Sequence, residues 1–250
     1  MFVRVHIPVY LPRWLHAPLK KVKQVFIPPA PLGINIDGER HVEWSFLSRE
    51  MPDGPGEALE FGCENGYMSL LAAQKGFQVV ASDLQQQYFV WQHPNVQFLL
   101  GDFLKLGLPA NHFDLLINCS SVEHVGVAGR YGITAEHSNG DIEVMEKFAR
   151  VLKPSGKLLM TAPCGQDAVM APWCRVYGAE RLPRLLAPFR VEKEAFWTKD
   201  SQNRWTAASR AAALSFVSKY DPTNPHGCSY ALGGFVLRKA VTETDTGGAR

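Results

Sequence analysis

The chain has 250 residues, 46% of them apolar and 20% charged, which suits one α/β domain with a modest appendage and excludes wholesale disorder. A formal net charge of +2 lacks the strong basic character of a nucleic-acid-binding domain, so nucleic acid is not an expected partner. Five cysteines without C-x-x-C spacing and no apolar run of roughly 20 residues exclude a zinc ribbon and a transmembrane helix, and reduced thiols in the cytoplasm are the simplest reading.

Residues 1–56 show no strand–helix rhythm and are expected to form an arm or cap. Arg4, Arg13, Lys20, Lys21 and Lys23 are interleaved there with Phe2, Tyr10, Trp14 and Phe26. Pro8, Pro12 and Pro18 break any continuous amphipathic helix. The arm either packs its aromatics on the domain or rests on a membrane surface or an anionic substrate. From residue 57 the pattern changes. EALEFG at 57–62 reads as a buried strand, and 67–75, with Met68, Leu71 and Ala72 at helical spacing, as a helix stopped by Gly76. Strands follow at 77–82, 96–100 and 113–118, a helix at 141–152 and a strand at 157–162. Beyond Pro163 the expected elements are a helix at 179–186, a strand at 190–197, a helix at 205–219 and a last strand at 230–238. Residues 241–250 read as a frayed tail. Strands alternating with helices mean βαβ units and a parallel sheet, within one domain over 57–240.

The strongest local signal is Glu60-Phe61-Gly62-Cys63-Glu64-Asn65-Gly66, between a strand and a helix. Its glycines allow a tight turn and close approach to a ligand. Asp83, ending the next strand, can accept hydrogen bonds from both ribose hydroxyls of an adenosine. Gly101-Asp102 after the third strand can reach the adenine amine. All three ends share one edge of a parallel sheet, where such folds bind ligands. The G-x-G-x-x-G of a dinucleotide fold and the lysine of a P-loop are both absent. Glu60 beside the turn is unwelcoming to a pyrophosphate and suits a cationic amino-acid end.

These residues resemble the class I S-adenosylmethionine (SAM)-dependent methyltransferases over 57–163. The glycine loop matches 60–66, the ribose acid Asp83, the adenine segment Gly101-Asp102-Phe103 and the segment after the fourth strand 118–124. Glu64-Asn65 departs from the small residues usual in that loop. The resemblance implies a doubly wound, Rossmann-like α/β fold with a seven-stranded, mostly parallel sheet, and SAM as cofactor. It implies SAM contacts from Glu60, Gly62, Cys63, Gly66, Asp83, Leu84, Gly101, Asp102, Phe103, Asn118 and Cys119. A second set of residues, GRYG at 129–132, Gly140-Asp141, PCGQD at 163–167 and RVYG at 175–178, is similar to a branch that includes sugar O-methyltransferases. It implies a small-molecule acceptor with a sugar or glycoside hydroxyl.

Methyl transfer from a sulfonium is an in-line displacement, so the acceptor oxygen must be aligned with the methyl carbon. A sugar hydroxyl benefits from a general base, and His124 after the fourth strand is the first candidate. Glu123 or Asp141 orients it or serves as the base. Asp141 also reads as a helix N-cap. Arg130 and Arg175 suit a phosphate or carboxylate of the acceptor, and Tyr131, Trp173 and Tyr177 suit stacking on a sugar ring. His137 and His226 are further pocket candidates. No carboxylate spacing indicates a metal. A nitrogen acceptor, a non-catalytic binding module and a nucleotide-dependent oxidoreductase are the alternatives, and the oligomeric state has no signature in the sequence.

Overall fold

The structure is a computed structural model that describes residues 38–200, 204–220 and 228–239. The basic–aromatic segment before residue 38, His226 and the expected tail lie outside the described residues.

The chain opens with α1 (Arg40–Glu50), β1 (Gly56–Phe61), α2 (Tyr67–Gln74), β2 (Phe77–Asp83), β3 (Val96–Leu100), β4 (Phe113–Cys119) and a 3₁₀ turn at Val122–His124. It continues with α3 (Gly140–Val151), β5 (Leu152–Cys164), β6 (Ala168–Met170), β7 (Cys174–Val176), α4 (Arg181–Leu186), β8 (Phe189–Lys199), β9 (Trp205–Ala208), α5 (Arg210–Leu214) and β10 (Ala231–Lys239). One eight-stranded sheet has the order β3-β2-β1-β4-β5-β10-β8-β9, and β6-β7 form a separate ribbon. β3, β2, β1, β4 and β5 run parallel, whereas β10 is antiparallel to both its neighbours. The order reverses between β1 and β4, which sets a crevice at their carboxyl ends.

The strands read as nearly continuous apolar runs because both faces of the sheet are covered. Alternate residues face opposite ways. Ala58, Leu115, Ile117, Leu159 and Val236 join Phe46 and Leu47 of α1 and Met68, Ala72 and Ala73 of α2 in one core cluster. Leu59, Leu116, Leu158, Met160 and Phe235 join Val144, Met145 and Phe148 of α3 and Leu182 and Leu185 of α4 in the other. The α3 stripe Val144, Met145, Phe148 and Val151 is the spacing a one-sided buried helix requires. Phe148 closes a cluster of three rings with Phe61 (5.4 Å) and Phe103 (5.3 Å), which fixes the end of β1 against the turn after β3.

Two expectations change. The sheet has eight strands rather than seven. The extra strand, β9, comes from the expected helix at 205–219, and it pairs with β8. Trp205 and Thr206 favour a strand, and the Ser209 hydroxyl caps the Ala212 N–H, so α5 starts only at Arg210. The connections β2–β3 and β3–β4 contain no helix, and their loops border the crevice. Among the described residues no helix is long and apolar enough to cross a membrane.

Phe148→Ala removes the ring that joins α3 to β1 and the post-β3 turn. Urea denaturation should show a loss of about 3–5 kcal/mol; a loss below about 1 kcal/mol would contradict the role given to this cluster.

Candidate functional site

A cavity of about 520 Å³ opens at the carboxyl ends of β1 to β4. The register that pairs Phe61 with Ser82 and with Asn118 brings these ends level. Gly62 leaves β1 at φ +65°, and a Cβ there would lie 2.5 Å from Ser121 Oγ, so only glycine fits beside the loop after β4. Glu64, Ser120 and Tyr131 also have positive φ, at 45°, 45° and 55°, and all three line the cavity. Non-glycine residues held there carry backbone strain that the surroundings must enforce, and such strain gathers at functional sites.

Asp83 ends β2 with its carboxylate held by two backbone donors, the N–H of Glu64 at 3.0 Å and that of Gln85 at 2.9 Å. Asp102 accepts from the Leu104 N–H at 3.1 Å and pairs with Lys105. The turn that carries it is fastened by Lys147 of α3, whose ammonium donates to the carbonyls of Phe103 (2.5 Å), Leu104 (3.2 Å) and Leu106 (2.6 Å). Glu60 is buried under the glycine loop. Its Oε2 accepts from the Ser69 N–H (2.8 Å) and hydroxyl (2.5 Å). Burial outweighs these donors and pushes the Glu60 carboxyl up to about 7. With Cys63, Gly66 and Cys119 it lines a small recess beside the main cavity.

His124 stands at the far wall. Its Nδ1 lies 2.6 Å from the carbonyl oxygen of Trp173. A carbonyl only accepts, so Nδ1 carries the proton and Nε2 keeps its lone pair. Burial, the nearby Arg130 charge and Arg40 push the imidazole down to about 4 against the pull of the Trp173 carbonyl. The Tyr131 ring meets it edge-on at 5.6 Å. The loop from Val125 to His137 that shapes this wall is held from beneath by Arg175, which donates to the carbonyls of Val125 and His137.

Of the residues expected to act together, Gly62, Asp83, Leu84, Gly101, Asp102, Phe103, His124, Arg130, Tyr131 and His137 line the cavity, and Glu60, Cys63, Gly66 and Cys119 line its recess. The rest lie elsewhere. Asn118 is buried and holds the turn, donating to the Thr161 carbonyl and accepting from the Val122 N–H. Glu123 is buried outside the cavity wall. Its Oε2 has no hydrogen-bond partner among the described residues, its Oε1 is 4.0 Å from His124 Nε2, and burial pushes its carboxyl well up. Asp141 sits inside the first turn of α3, where Asn139 is the N-cap residue, and its two oxygens are bound by Arg181. The imidazole is therefore oriented by the Trp173 carbonyl and not by Glu123 or Asp141. Arg175 and Tyr177 are buried behind the wall rather than facing an acceptor. The Trp173 side chain is absent from the cavity lining but stacks near Arg130.

Arg40 was not expected. It rises from α1 to line both the cavity and the recess, paired at 2.6 Å with Glu43. Glu43 is fully buried and also accepts from the Ser120 and Thr161 hydroxyls. The only signal for this pair was an Arg–Glu spacing of three on a helix, which is common on any solvated face.

Residues 102–220 match a family model described as "Caenorhabditis protein of unknown function, DUF268". A protein of two Mycobacterium tuberculosis strains, named "Probable S-adenosylmethionine-dependent methyltransferase", is 27% identical over 140 residues, 52% of this chain and 46% of that one. The match thus spans about half the length of these curated relatives. Among solved structures, the Burkholderia thailandensis 1,6-didemethyltoxoflavin-N1-methyltransferase, bound to its substrate and S-adenosylhomocysteine, superposes with TM-score 0.50 at 15% identity, covering 95% of this chain and 94% of that one. The YcgJ protein from Bacillus subtilis superposes with TM-score 0.51 at 14% identity, covering 80% and 100%. The [4+2]-cyclase SpnF superposes with TM-score 0.51 at 20% identity, covering 81% of each chain. The architecture is therefore the Rossmann-like α/β fold of the class I methyltransferases, which also carries other chemistry.

Because the folded value of Glu60 lies above its unfolded one, the protonated carboxyl favours the fold below about pH 4.5, and this contribution fades as pH rises through about 7. It amounts to about 3 kcal/mol. The melting temperature should fall from about pH 5 to about pH 8, and Glu60→Gln should flatten that slope. A variant whose slope matches the wild type would show that Glu60 is not the group responsible.

Proposed function

We propose that the chain is a SAM-dependent methyltransferase whose acceptor is a small-molecule hydroxyl, of a sugar or glycoside, with His124 as the base. The observation that carries this reading is the single cavity that joins a strained glycine loop and two strand-end carboxylates at one end to a neutral histidine with a free lone pair at the other. SAM-dependent relatives over half the chain and the methyltransferase fold support it.

The residues fit such a cofactor. Asp83, pinned by backbone donors, suits the two ribose hydroxyls. Asp102, with the Phe103 ring beside it, suits adenine. Glu60 suits the ammonium of the amino-acid end, and Arg40 its carboxylate. Domain roles follow: 57–240 holds the site, and the segment before it contributes α1 as one wall. When bound, SAM supplies an electrophilic methyl group. The protein would align the acceptor hydroxyl for that methyl group, with His124 Nε2 placed to take the hydroxyl proton. Trp173 keeps the imidazole in the tautomer that can do this. A second reading has its own support: an imidazole held near 4 is a weak base, which favours a nitrogen acceptor that needs little proton removal.

Calorimetry should show S-adenosylhomocysteine binding at about micromolar strength, weakened at least about tenfold by Asp83→Ala; no binding to the folded protein would sink the enzyme reading. Once an acceptor is found, His124→Ala should slow a hydroxyl acceptor by about 10²–10⁴-fold. Activity kept within about tenfold would mean that His124 takes no proton and would support the nitrogen reading.

A further inference from the structure

We propose that the acceptor is an anion, whose carboxylate or phosphate docks on the guanidinium of Arg130. This rests on the methyltransferase reading above and narrows its substrate class.

Of four arginines, Arg40 and Arg130 lining the cavity and Arg175 and Arg181 outside its lining, three are committed. Arg40 pairs with Glu43, Arg175 with two carbonyls and Arg181 with Asp141. Arg130 lines the cavity, yet among the described residues its guanidinium has neither an ion pair nor a hydrogen bond. Its partners are aromatic faces: the guanidinium carbon is 4.4 Å from the centre of the Tyr131 ring and 5.5 Å from that of Trp173. Stacking of this kind fixes the plane of the guanidinium while leaving its edge donors unsatisfied, and that edge matches a carboxylate or phosphate in two-point contact. The backbone is shaped to hold it: Tyr131 sits at φ 55° between two positive-φ glycines, Gly129 and Gly132. The GRYG pattern thereby acquires a purpose that packing alone does not supply.

Desolvation supplies the chemical argument. A neutral acceptor filling the cavity would strip water from an unpaired cation and leave it uncompensated, which is costly. An anionic acceptor replaces that water. The acidic groups lining the cavity, Glu64, Asp83 and Asp102, lie at or just after the carboxyl ends of β1, β2 and β3 and so at the proposed cofactor end. Among the described residues, the wall around Arg130, with Val125, Ile133, Ala135 and His124, presents no carboxylate to the cavity, and Glu123, 4.0 Å from His124 Nε2, is buried outside it. Arg130 is also among the charges that depress His124, so an anion docked on it relieves that depression and strengthens the base.

The test is a side-chain NMR titration of the full chain saturated with S-adenosylhomocysteine. The Nε–H signals of Arg40 and Arg130 are assigned with Arg40→Lys and Arg130→Lys. Inorganic phosphate, glucuronate and the uncharged methyl glucoside are added in separate arms. The expected result is a saturable shift of Arg130, with a dissociation constant of about millimolar order, for at least one anion. Arg40 stays silent, and Arg130→Gln weakens anion binding at least about tenfold, followed by ligand-observed signals. A response to phosphate alone assigns a phosphorylated acceptor, and a response to glucuronate alone a carboxylated one. No saturable shift of Arg130 with either anion overturns the proposal, as does methyl glucoside binding as tightly as the anions, or anion binding that survives Arg130→Gln. Failure of S-adenosylhomocysteine to bind is visible before any anion is added and strikes the methyltransferase reading instead; the same titration of the free protein then still decides whether Arg130 holds an anion.

Discussion

A fully buried carboxylate, Glu43, is the contact on which the cavity depends. Moving a carboxylate out of water costs several kcal/mol unless its oxygens are all engaged. Here one oxygen accepts from the hydroxyls of Ser120 and Thr161 and the other from Arg40. Those partners belong to the loop after β4, to β5 and to α1, so one carboxylate fastens α1 to the hydrogen-bonded pair of β4 and β5. Ser120 sits at φ 45° as part of this arrangement. The strain in the loop after β4 and the position of Arg40 at the cavity are two consequences of the same contact.

The polarity of the cavity follows from the topology. β1, β2 and β3 each deliver a carboxylate near their carboxyl ends, because a parallel sheet brings equivalent strand ends to one edge. β4 and the turn after it deliver hydroxyls, a histidine and a stacked arginine. The boundary between an acidic and a basic half therefore coincides with the switch point between β1 and β4. A ligand that is cationic near the glycine loop and a second ligand that is anionic near Arg130 would each meet its complement, with their reacting ends together at the boundary.

The parallel half of the sheet was legible in the sequence because each strand is a short apolar run ended by a polar or glycine residue, and Gly62, Asp83 and Asp102 fall where such ends belong. Residues 205–219 misled because alanines and an apparent helical spacing hide a hairpin strand, which only pairing with β8 stabilises. Arg175 and Tyr177 looked like acceptor residues, and Asp141 like a catalytic one, because their types suit that chemistry. Burial decided otherwise, and burial depends on how the β6-β7 ribbon and α4 pack, which no local pattern encodes. Arg40 was invisible for the opposite reason: its helix precedes the rhythm of strands and helices, and its importance comes from Ser120 and Thr161, far along the chain. The orienting partner of His124 is a backbone carbonyl, which carries no side-chain signature at all.

In the proposed reading, the same carbonyl is what would let a histidine pushed down to about 4 serve as a base. A low basicity makes proton removal weaker, but it also keeps Nε2 unprotonated at neutral pH, so no fraction of the protein is lost to an imidazolium. The Trp173 carbonyl contributes in two ways. It fixes the tautomer before the acceptor arrives, and it stabilises the imidazolium once a proton is taken, since Nδ1–H donates more strongly from the charged ring. What opposes protonation is burial and the charges of Arg130 and Arg40. An anion beside Arg130 would cancel that arginine's share only while the acceptor is bound. The base would then be weak in the empty site and stronger in the occupied one, so that proton affinity rises when there is a hydroxyl to deprotonate. Arg130 would in this way couple recognition of the acceptor to activation of its oxygen, through electrostatics alone and without any movement of the wall.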